Sequence, residues 1–379
     1  MQLTHPWIWA EAEWPALRFD GQRVGHHVAA ARRAQGIAEG KASALGLLAR
    51  QDLLANAWSQ DALATAALEG ERLNLPAVRS SVARRLGTLN QPALRTPRSV
   101  EGLLDMMDDA VLRAPEPLTD ARLHRWQAAL FPHGISGLHE VRTGAYRDHD
   151  EPMRIVSGRL GNEVVHYEAP PSMVVGAEMM QFLNWFNAPS QTDAIVRAAV
   201  THLWFETVHP FEDGNGRVGR ALIDMVLARD AGEGSRLLRI SQRLLDVQGE
   251  YYDQLASAQR SGLDVTAWIV WFVEQFRIAC VGTTEVIDLS LVKGRFWAQH
   301  SQADLTERQR KVINLLLDAG PAGFTGGMST QKYVSIARTS RATASRELLD
   351  LEKKGALVVT GAGRGTRYDL AIPGWDRVP

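Results

Sequence analysis

A single turn constrains this chain of 379 residues more than any other feature: His209-Pro-Phe-Glu-Asp-Gly-Asn-Gly-Arg-Val-Gly-Arg220. The residues before it, 194–208, form an apolar run with helical spacing. Pro210 cannot continue that helix, because it lacks an N–H and its ring collides with the preceding turn, so His209 falls at the helix end. Beyond the turn, Val218, Ala221, Leu222 and Met225 return to helical spacing, so a new helix opens near Arg217. Gly214-Asn215-Gly216 therefore lies just before a helix N-terminus. Glycine lets backbone N–H groups converge there, and the helix dipole favours an anion. Arg217 and Arg220, three residues apart, project from the first turn on one face. Two guanidinium groups beside an amide nest make a clamp for a polyphosphate. Asp213 can place a carboxylate on a divalent cation bridging phosphates, and His209 is the side chain suited to take a proton near neutral pH.

Composition narrows the surroundings of this turn. Hydrophobic residues make up 45% and charged residues 22%, the balance of a folded chain. The length suggests two or three domains. One cysteine, Cys280, excludes a disulfide framework and a cysteine-based zinc cluster. The formal charge of −1 excludes a globally basic nucleic-acid coat protein, though not a local basic module. The strongest apolar run, Trp268 to Val281, is interrupted by Glu274, Gln275 and Arg277, so no transmembrane helix is expected. The first twenty residues lack the basic, apolar and small-residue regions of a signal peptide, so the cytoplasm is the expected compartment.

The chain reads as mainly α. Gly40–Ala57, Thr192–Val208, Arg217–Arg229 and Glu250–Gly262 all carry apolar residues at three- and four-residue spacing. Two segments read as hairpins instead. Met153–Tyr167 has two β-prone runs about the turn pair Gly161-Asn162, and Leu357–Leu370 flanks the glycine-rich Gly361–Gly365. Loop signals and composition divide the chain into 1–103, 104–287, a connector at 288–303, and 304–379.

With these residues in view, the turn resembles the signature of the Fic family, HPFx(D/E)GNGRxxR, at every fixed position. The resemblance implies a helical Fic-type core over 104–287 and transfer of AMP from ATP to a hydroxyl side chain of a target protein. It implies that His209 is the general base and that Asp213 holds Mg²⁺ on the α- and β-phosphates. Gly214, Asn215 and Gly216 would form the anion hole, Asn215 touching the α-phosphate, with Arg217 on the β-phosphate and Arg220 on the γ-phosphate. The hairpin at Met153–Tyr167 stands where such proteins carry a flap. Its edge, with Met153, Ile155, Val165 and Tyr167, would hold an extended target segment. Gly144-Ala-Tyr-Arg147 resembles the family's lead-in, and Tyr252, beside Tyr251, the wall of an adenine pocket. Thr65-Ala-Ala-Leu-Glu69-Gly70 is similar to the inhibitory motif (S/T)xxxE(G/N) of the class that carries it N-terminal to the core. There Glu69 would pair with Arg220 and exclude the γ-phosphate, while Thr65 would fix the helix through a hydrogen bond near the site. Trp7, Trp9 and Trp14-Pro15 resemble a domain of unknown function that precedes some Fic cores.

Two other outcomes stay open within the same resemblance. One is hydrolytic removal of AMP from a modified protein, with Glu69 orienting water. The other is a DNA-binding regulator whose Fic domain senses nucleotide. UMP or phosphocholine transfer is also compatible with the signature.

From Asp304 the pattern changes. Thr306-x-x-Gln309 is a capping box opening a helix through Leu317, a second helix is expected near Thr330–Ala337, and a third opens at Ser340. With the hairpin that follows, this order resembles a winged helix-turn-helix. Residues 304–379 hold 12 Lys and Arg against 8 Asp and Glu. Arg341 and Arg346 on the candidate recognition helix, and Arg364 and Arg367 at the wing, are the expected contacts to double-stranded DNA. A protein-interaction or dimerisation module is the alternative; a homodimer is compatible with the sequence, which does not itself fix the oligomeric state.

Overall fold

The periodicity read from the sequence becomes helix through nearly the whole chain. The computed structural model describes residues 7–88, 94–159, 162–321, 323–324 and 326–375. Two units divide it, Met1–Thr284 and Glu285–Pro379. In the first, the order is α1 (Gly21–Ser43), α2 (Leu47–Leu68), α3 (Leu75–Arg85), α4 (Arg98–Leu112) and α5 (Asp120–Leu130), then the short strands β1 (Ile135–Ser136) and β2 (His139–Glu140), and the hairpin β3 (Arg154–Arg159) and β4 (Asn162–Glu168). It continues with α6 (Ser172–Asn187), α7 (Ala194–Val208), α8 (Asn215–Ala231), α9 (Ile240–Asp246), α10 (Gln248–Ala258) and α11 (Thr266–Gln299), within which the unit ends. The second unit holds α12 (Glu307–Asp318), α13 (Thr330–Ala337), α14 (Arg341–Lys353) and the hairpin β5 (Leu357–Thr360) and β6 (Arg367–Leu370).

Helix α7 is the spine of the first unit. It is buried on every side from Ile195 to Val208 apart from Arg197, as expected of a helix apolar all round. Each fully buried Phe or Leu here stabilises the fold by roughly 2 kcal/mol relative to exposure. Asp193 caps its N-terminus by accepting from the Ile195 N–H at 2.8 Å. Helix α8 lies against α7 through small positions, of which Gly219 is the tightest. A Cβ there would stand 2.5 Å from Glu206 Oε1 and 3.1 Å from His202 Nδ1 of α7. One hydrophobic core runs from Ile8 to Cys280.

Some local expectations change. The periodic stretch Gly40–Ala57 is broken at Ala44–Gly46, because Gly46 takes an extended conformation and serves as the N-cap of α2. The segment expected as a connector, from residue 288, is helical to Gln299. Asn162 begins β4 opposite Arg159, and positions 160 and 161 lie outside the described residues. In the second unit the capping box forms, with the Thr306 side chain accepting from the Gln309 N–H, and β5 and β6 pair antiparallel from Leu357↔Leu370 to Thr360↔Arg367. Among the described residues, no helix is long and apolar enough to cross a membrane.

Candidate active site

Pro210 ends α7 as its chemistry requires, and the consequence falls on the residue before it. His209 is driven into the left-handed region, φ 49°, ψ 60°, a conformation uncommon for a residue with a Cβ. Arg147 holds it there. Its Nε donates to the His209 carbonyl at 2.9 Å, and its Nη2 reaches the Pro170 and Val208 carbonyls. The guanidinium therefore ties the foot of the β3–β4 hairpin to the end of α7. Burial and the nearby Arg147 charge push the His209 imidazole down to about 4. It is neutral at pH 7, the state a proton acceptor needs.

The turn closes through Asn215. Its side chain accepts from the Phe211 N–H at 2.9 Å and donates to the Phe211 carbonyl at 2.7 Å. The side chain expected to touch a phosphate is thus spent on the loop and is 2% exposed; what Asn215 can offer an anion is its backbone N–H. Gly214 at φ 89° could not carry a side chain without pressing on Leu130 and Phe131 at 3.0–3.1 Å. The N–H groups of Asn215, Gly216 and Arg217, at the first turn of α8, have no acceptor among the described residues. They form the electropositive end that the sequence indicates.

Thr65 and Glu69 sit against this end. Helix α2 stops in a Schellman turn: Gly70 takes φ 78°, its N–H donates to the Ala67 carbonyl, and the Glu71 N–H donates to the Ala66 carbonyl. The turn delivers two carboxylates to the two arginines. Arg220 Nη2 donates to Glu69 Oε1 at 2.6 Å and to the Thr65 carbonyl at 3.0 Å, and Arg220 Nε donates to Thr65 Oγ1 at 2.7 Å. Arg217 Nη1 donates to Glu71 Oε1 at 2.9 Å, and its guanidinium lies 4.9 Å over the Phe131 ring. Glu69 Oε1 also covers the nest, since a Cβ on Gly216 would stand 2.2 Å from it. Burial alone would raise the Glu69 carboxyl, but the Arg220 guanidinium outweighs it and holds the group below the usual carboxylate range.

Of the other candidates, Asp213 is partly exposed beside the nest, with Oδ1 accepting from the Gly214 N–H at 2.5 Å and standing 3.6 Å from Arg217 Nη2. No group of three or more potential metal-ligating side chains gathers among the described residues. Tyr252 is 41% exposed and donates from its hydroxyl to the Leu68 carbonyl, the last of α2, at 2.8 Å, so it ties α10 to the end of α2. On the hairpin, Ile155 and Val165 are exposed, but Tyr167 is not available to a target. It is buried under Trp7, and its hydroxyl donates to the Thr207 carbonyl; Met153 packs in the same small cluster. Glu71 and Glu206 were not singled out by sequence reasoning. Their signals were their spacing, Glu71 two residues past Glu69 and Glu206 one helical turn before His209.

The profile of the Fic/DOC family matches residues 117–227, a span that contains the whole turn. The chain carries a Fic domain. The chain also matches a profile for a domain of unknown function, DUF4172, over residues 7–88, the segment that carries the tryptophans and α2. It is 36% identical over 64 residues to a probable protein adenylyltransferase of Aquifex aeolicus, which is 17% of this chain and 20% of that protein. It is 34% identical over 88 residues to protein adenylyltransferase fic-1 of Caenorhabditis elegans, 23% of this chain and 16% of that protein. The match thus spans a fifth or less of the length of these curated relatives. Among solved structures, Fic-1 from C. elegans superposes with a TM-score of 0.50 at 17% identity over 71% of this chain and 74% of that one. That likeness concerns the fold.

Proposed function

We propose that this Fic protein transfers AMP from ATP to a hydroxyl group of a target protein and is restrained by its own N-terminal helix. The observation that carries the reading is the conjunction at one helix N-terminus: open amides, two buried arginines and a neutral histidine. In the reaction, the target's hydroxyl oxygen bonds to the α-phosphorus and the bond to the β-phosphate oxygen breaks. Pyrophosphate leaves, and the hydroxyl proton passes to His209. Nδ1 of His209 is buried, so Nε2 is the nitrogen that faces the reacting hydroxyl. Arg217 and Arg220 would hold the β- and γ-phosphates, and the amides of Asn215 and Gly216 the α-phosphate. Positioning and charge neutralisation supply most of the rate.

Asp213 would hold Mg²⁺. A single, partly exposed carboxylate beside the nest suits an ion that keeps several waters and takes its remaining ligands from phosphates. When bound, the ion neutralises charge on the α- and β-phosphates. The exposed edge of the β3–β4 hairpin, with Ile155 and Val165, would align the target segment by strand pairing. Label from [α-³²P]ATP should appear on protein, in the wild type or the Glu69→Gly variant, and label from [γ-³²P]ATP should not. The reverse pattern would mean phosphoryl transfer and sink the reading.

Glu71 adds to the restraint. Its pair with Arg217 is 42% exposed at the carboxylate, and pairs of that kind are worth about 0–1 kcal/mol. Glu71→Ala is therefore expected to raise initial rates by no more than about fivefold, chiefly through a lower KM for ATP. An unchanged KM would remove Glu71 from the brake.

The second unit supports a further reading, a winged helix that engages duplex DNA. Arg341 and Arg346 stand exposed on α14 and form no ion pair among the described residues. Ser340 caps that helix by accepting from the Thr343 N–H at 3.1 Å. Arg367 instead donates to the Gly326 carbonyl at 2.7 Å, and the Arg364 side chain lies outside the described residues. Binding to duplex DNA should weaken steeply with salt, and Arg341→Ala with Arg346→Ala should lower the salt slope by about 1 per arginine. Salt-independent binding, or none, would favour a protein partner.

A further inference from the structure

Behind His209, on the same face of α7 and one turn earlier, stands a carboxyl group with no role in the reading above. Glu206 is 5% exposed, and its Oε2 lies 3.7 Å from His209 Nδ1. Glu206 Oε1 and His209 Nδ1 are both buried and make no hydrogen bond of good geometry among the described residues, although the Glu206 carbonyl also lies near the imidazole. Nδ1 faces Oε2 of this carboxyl within one helical turn, while the unpartnered Oε1 lies toward Gly219; a buried imidazole nitrogen left unpaired is costly unless it is completed in some state of the protein. The space that admits the carboxyl is made by Gly219, where any Cβ would stand 2.5 Å from Glu206 Oε1.

We propose that Glu206 is a positioning residue for His209: its carboxylate accepts the Nδ1–H, which leaves Nε2 unprotonated toward the target hydroxyl and offsets the imidazolium charge formed when that proton is taken. The proton stays on the imidazole, and Glu206 only orients and compensates it. This inference rests on the AMP-transfer reading for its consequence in catalysis, though the hydrogen bond itself does not depend on it.

The charged groups around Glu206 tie it to the brake. His202 and His209 flank it on α7, Arg220 approaches from α8, Glu69 from the end of α2, Tyr251 and Tyr252 from α10, and Tyr167 from β4. Burial raises the Glu206 carboxyl to about 8; Arg220 lowers it, and the Glu69 charge raises it further. A protonated Glu206 cannot accept from Nδ1–H as a carboxylate does. Removing Glu69 takes away one of the two influences that keep it protonated and leaves Arg220 unneutralised beside it, so release of the brake favours the orienting form.

The test uses the full-length Glu69→Gly protein and the same protein carrying Glu206→Gln or Glu206→Asp. In ¹⁵N-histidine NMR spectra recorded above the ionisation of Glu206, His209 should hold the Nδ1–H tautomer in the parent and a tautomer mixture in Glu206→Gln. Transfer of AMP should fall about tenfold to a hundredfold in kcat for Glu206→Gln, with KM for ATP within about twofold. The parent's gain in rate as Glu206 ionises should be missing from Glu206→Gln and partly restored in Glu206→Asp. Should Glu206→Gln fail to fold, the spectrum of the parent and the pH profile of Glu206→Asp decide. A parent His209 tautomer that is mixed, or identical in both proteins, overturns the inference. If no AMP transfer is seen in any of them while the tautomer shifts as expected, the hydrogen bond stands and the AMP-transfer reading fails instead.

Discussion

Replacing Glu69 by glycine is expected to raise AMP transfer by about ten- to a hundredfold, including transfer to the protein itself. The carboxylate does two things at once. It takes Arg220 Nη2 at 2.6 Å, the guanidinium expected on the γ-phosphate, and it covers the amide nest at Gly216. A hydrogen bond to a charged group is worth about 1.5–3 kcal/mol, and a bias of that size corresponds to roughly the stated range in population. Arg220 stays anchored through Thr65 in the variant, so the site keeps its shape while its positive charge is freed. The measurement is initial rate with radiolabelled ATP and Mg²⁺, together with mass spectrometry for a gain of one AMP. A Glu69→Gly protein no faster than wild type would leave the α2 carboxylate as a structural ion pair and nothing more. The effect should also depend on pH in a definite sense. The Arg220 pair holds Glu69 below the usual carboxylate range, so the restraint, and the stability it contributes, is present above the ordinary pKa of Glu and is lost only as pH falls through the lowered value.

Loss of the imidazole should have the opposite and larger effect. His209→Ala in the Glu69→Gly background is expected to lower kcat by about 10²- to 10⁴-fold, the contribution of a positioned general base. Affinity for ATP should change less than twofold, because the open amides of α8 and the two arginines are untouched. Isothermal titration calorimetry and single-turnover rates separate the two quantities. Well-folded His209→Ala protein that still transfers AMP at the parental rate would remove the proton-acceptor role. The acid side of the pH profile adds an independent check. With the imidazole pushed down to about 4 by burial and Arg147, the rate of the Glu69→Gly protein that also carries Glu206→Gln, in which Glu206 no longer ionises, should hold steady as pH is lowered from 7 to about 5.5 and drop only as His209 begins to protonate. A limb centred near 6.5 would mean that the imidazole is solvated during turnover.

The geometry of the turn at 209–220 was legible in the sequence because it is local. Proline after His209, glycines at 214 and 216, and arginines three apart act through backbone geometry and one helical turn, which a linear chain displays directly. The same holds for the Thr306–Gln309 capping box. The role expected for the Asn215 side chain was not legible. Whether an amide reaches outward or closes its own loop depends on the two bonds it finds on Phe211, and a linear motif does not contain that choice. The misplacement of Tyr167 has a similar origin. Alternation along β4 marks it as one of a strand's faces, but only the packing of Trp7 against it, from a segment 160 residues away in the chain, makes it core.

Sequence alone determined the helix–turn–helix with an electropositive end, the residue suited to accept a proton, and the helix carrying Thr65 and Glu69. Each is set by periodicity, by proline and glycine dihedral limits, or by side-chain chemistry at fixed spacing. Tertiary structure decided which charges meet. The Schellman end of α2 delivers both Glu69 and Glu71 to arginines about 150 positions later in the chain, Tyr252 is turned onto the last carbonyl of α2, and Gly219 opens the space in which Glu206 stands beside His209. These contacts depend on how α2, α7, α8 and α10 pack through one buried core. The energies of these contacts come from burial and proximity between distant segments, and these exist only once the chain is folded.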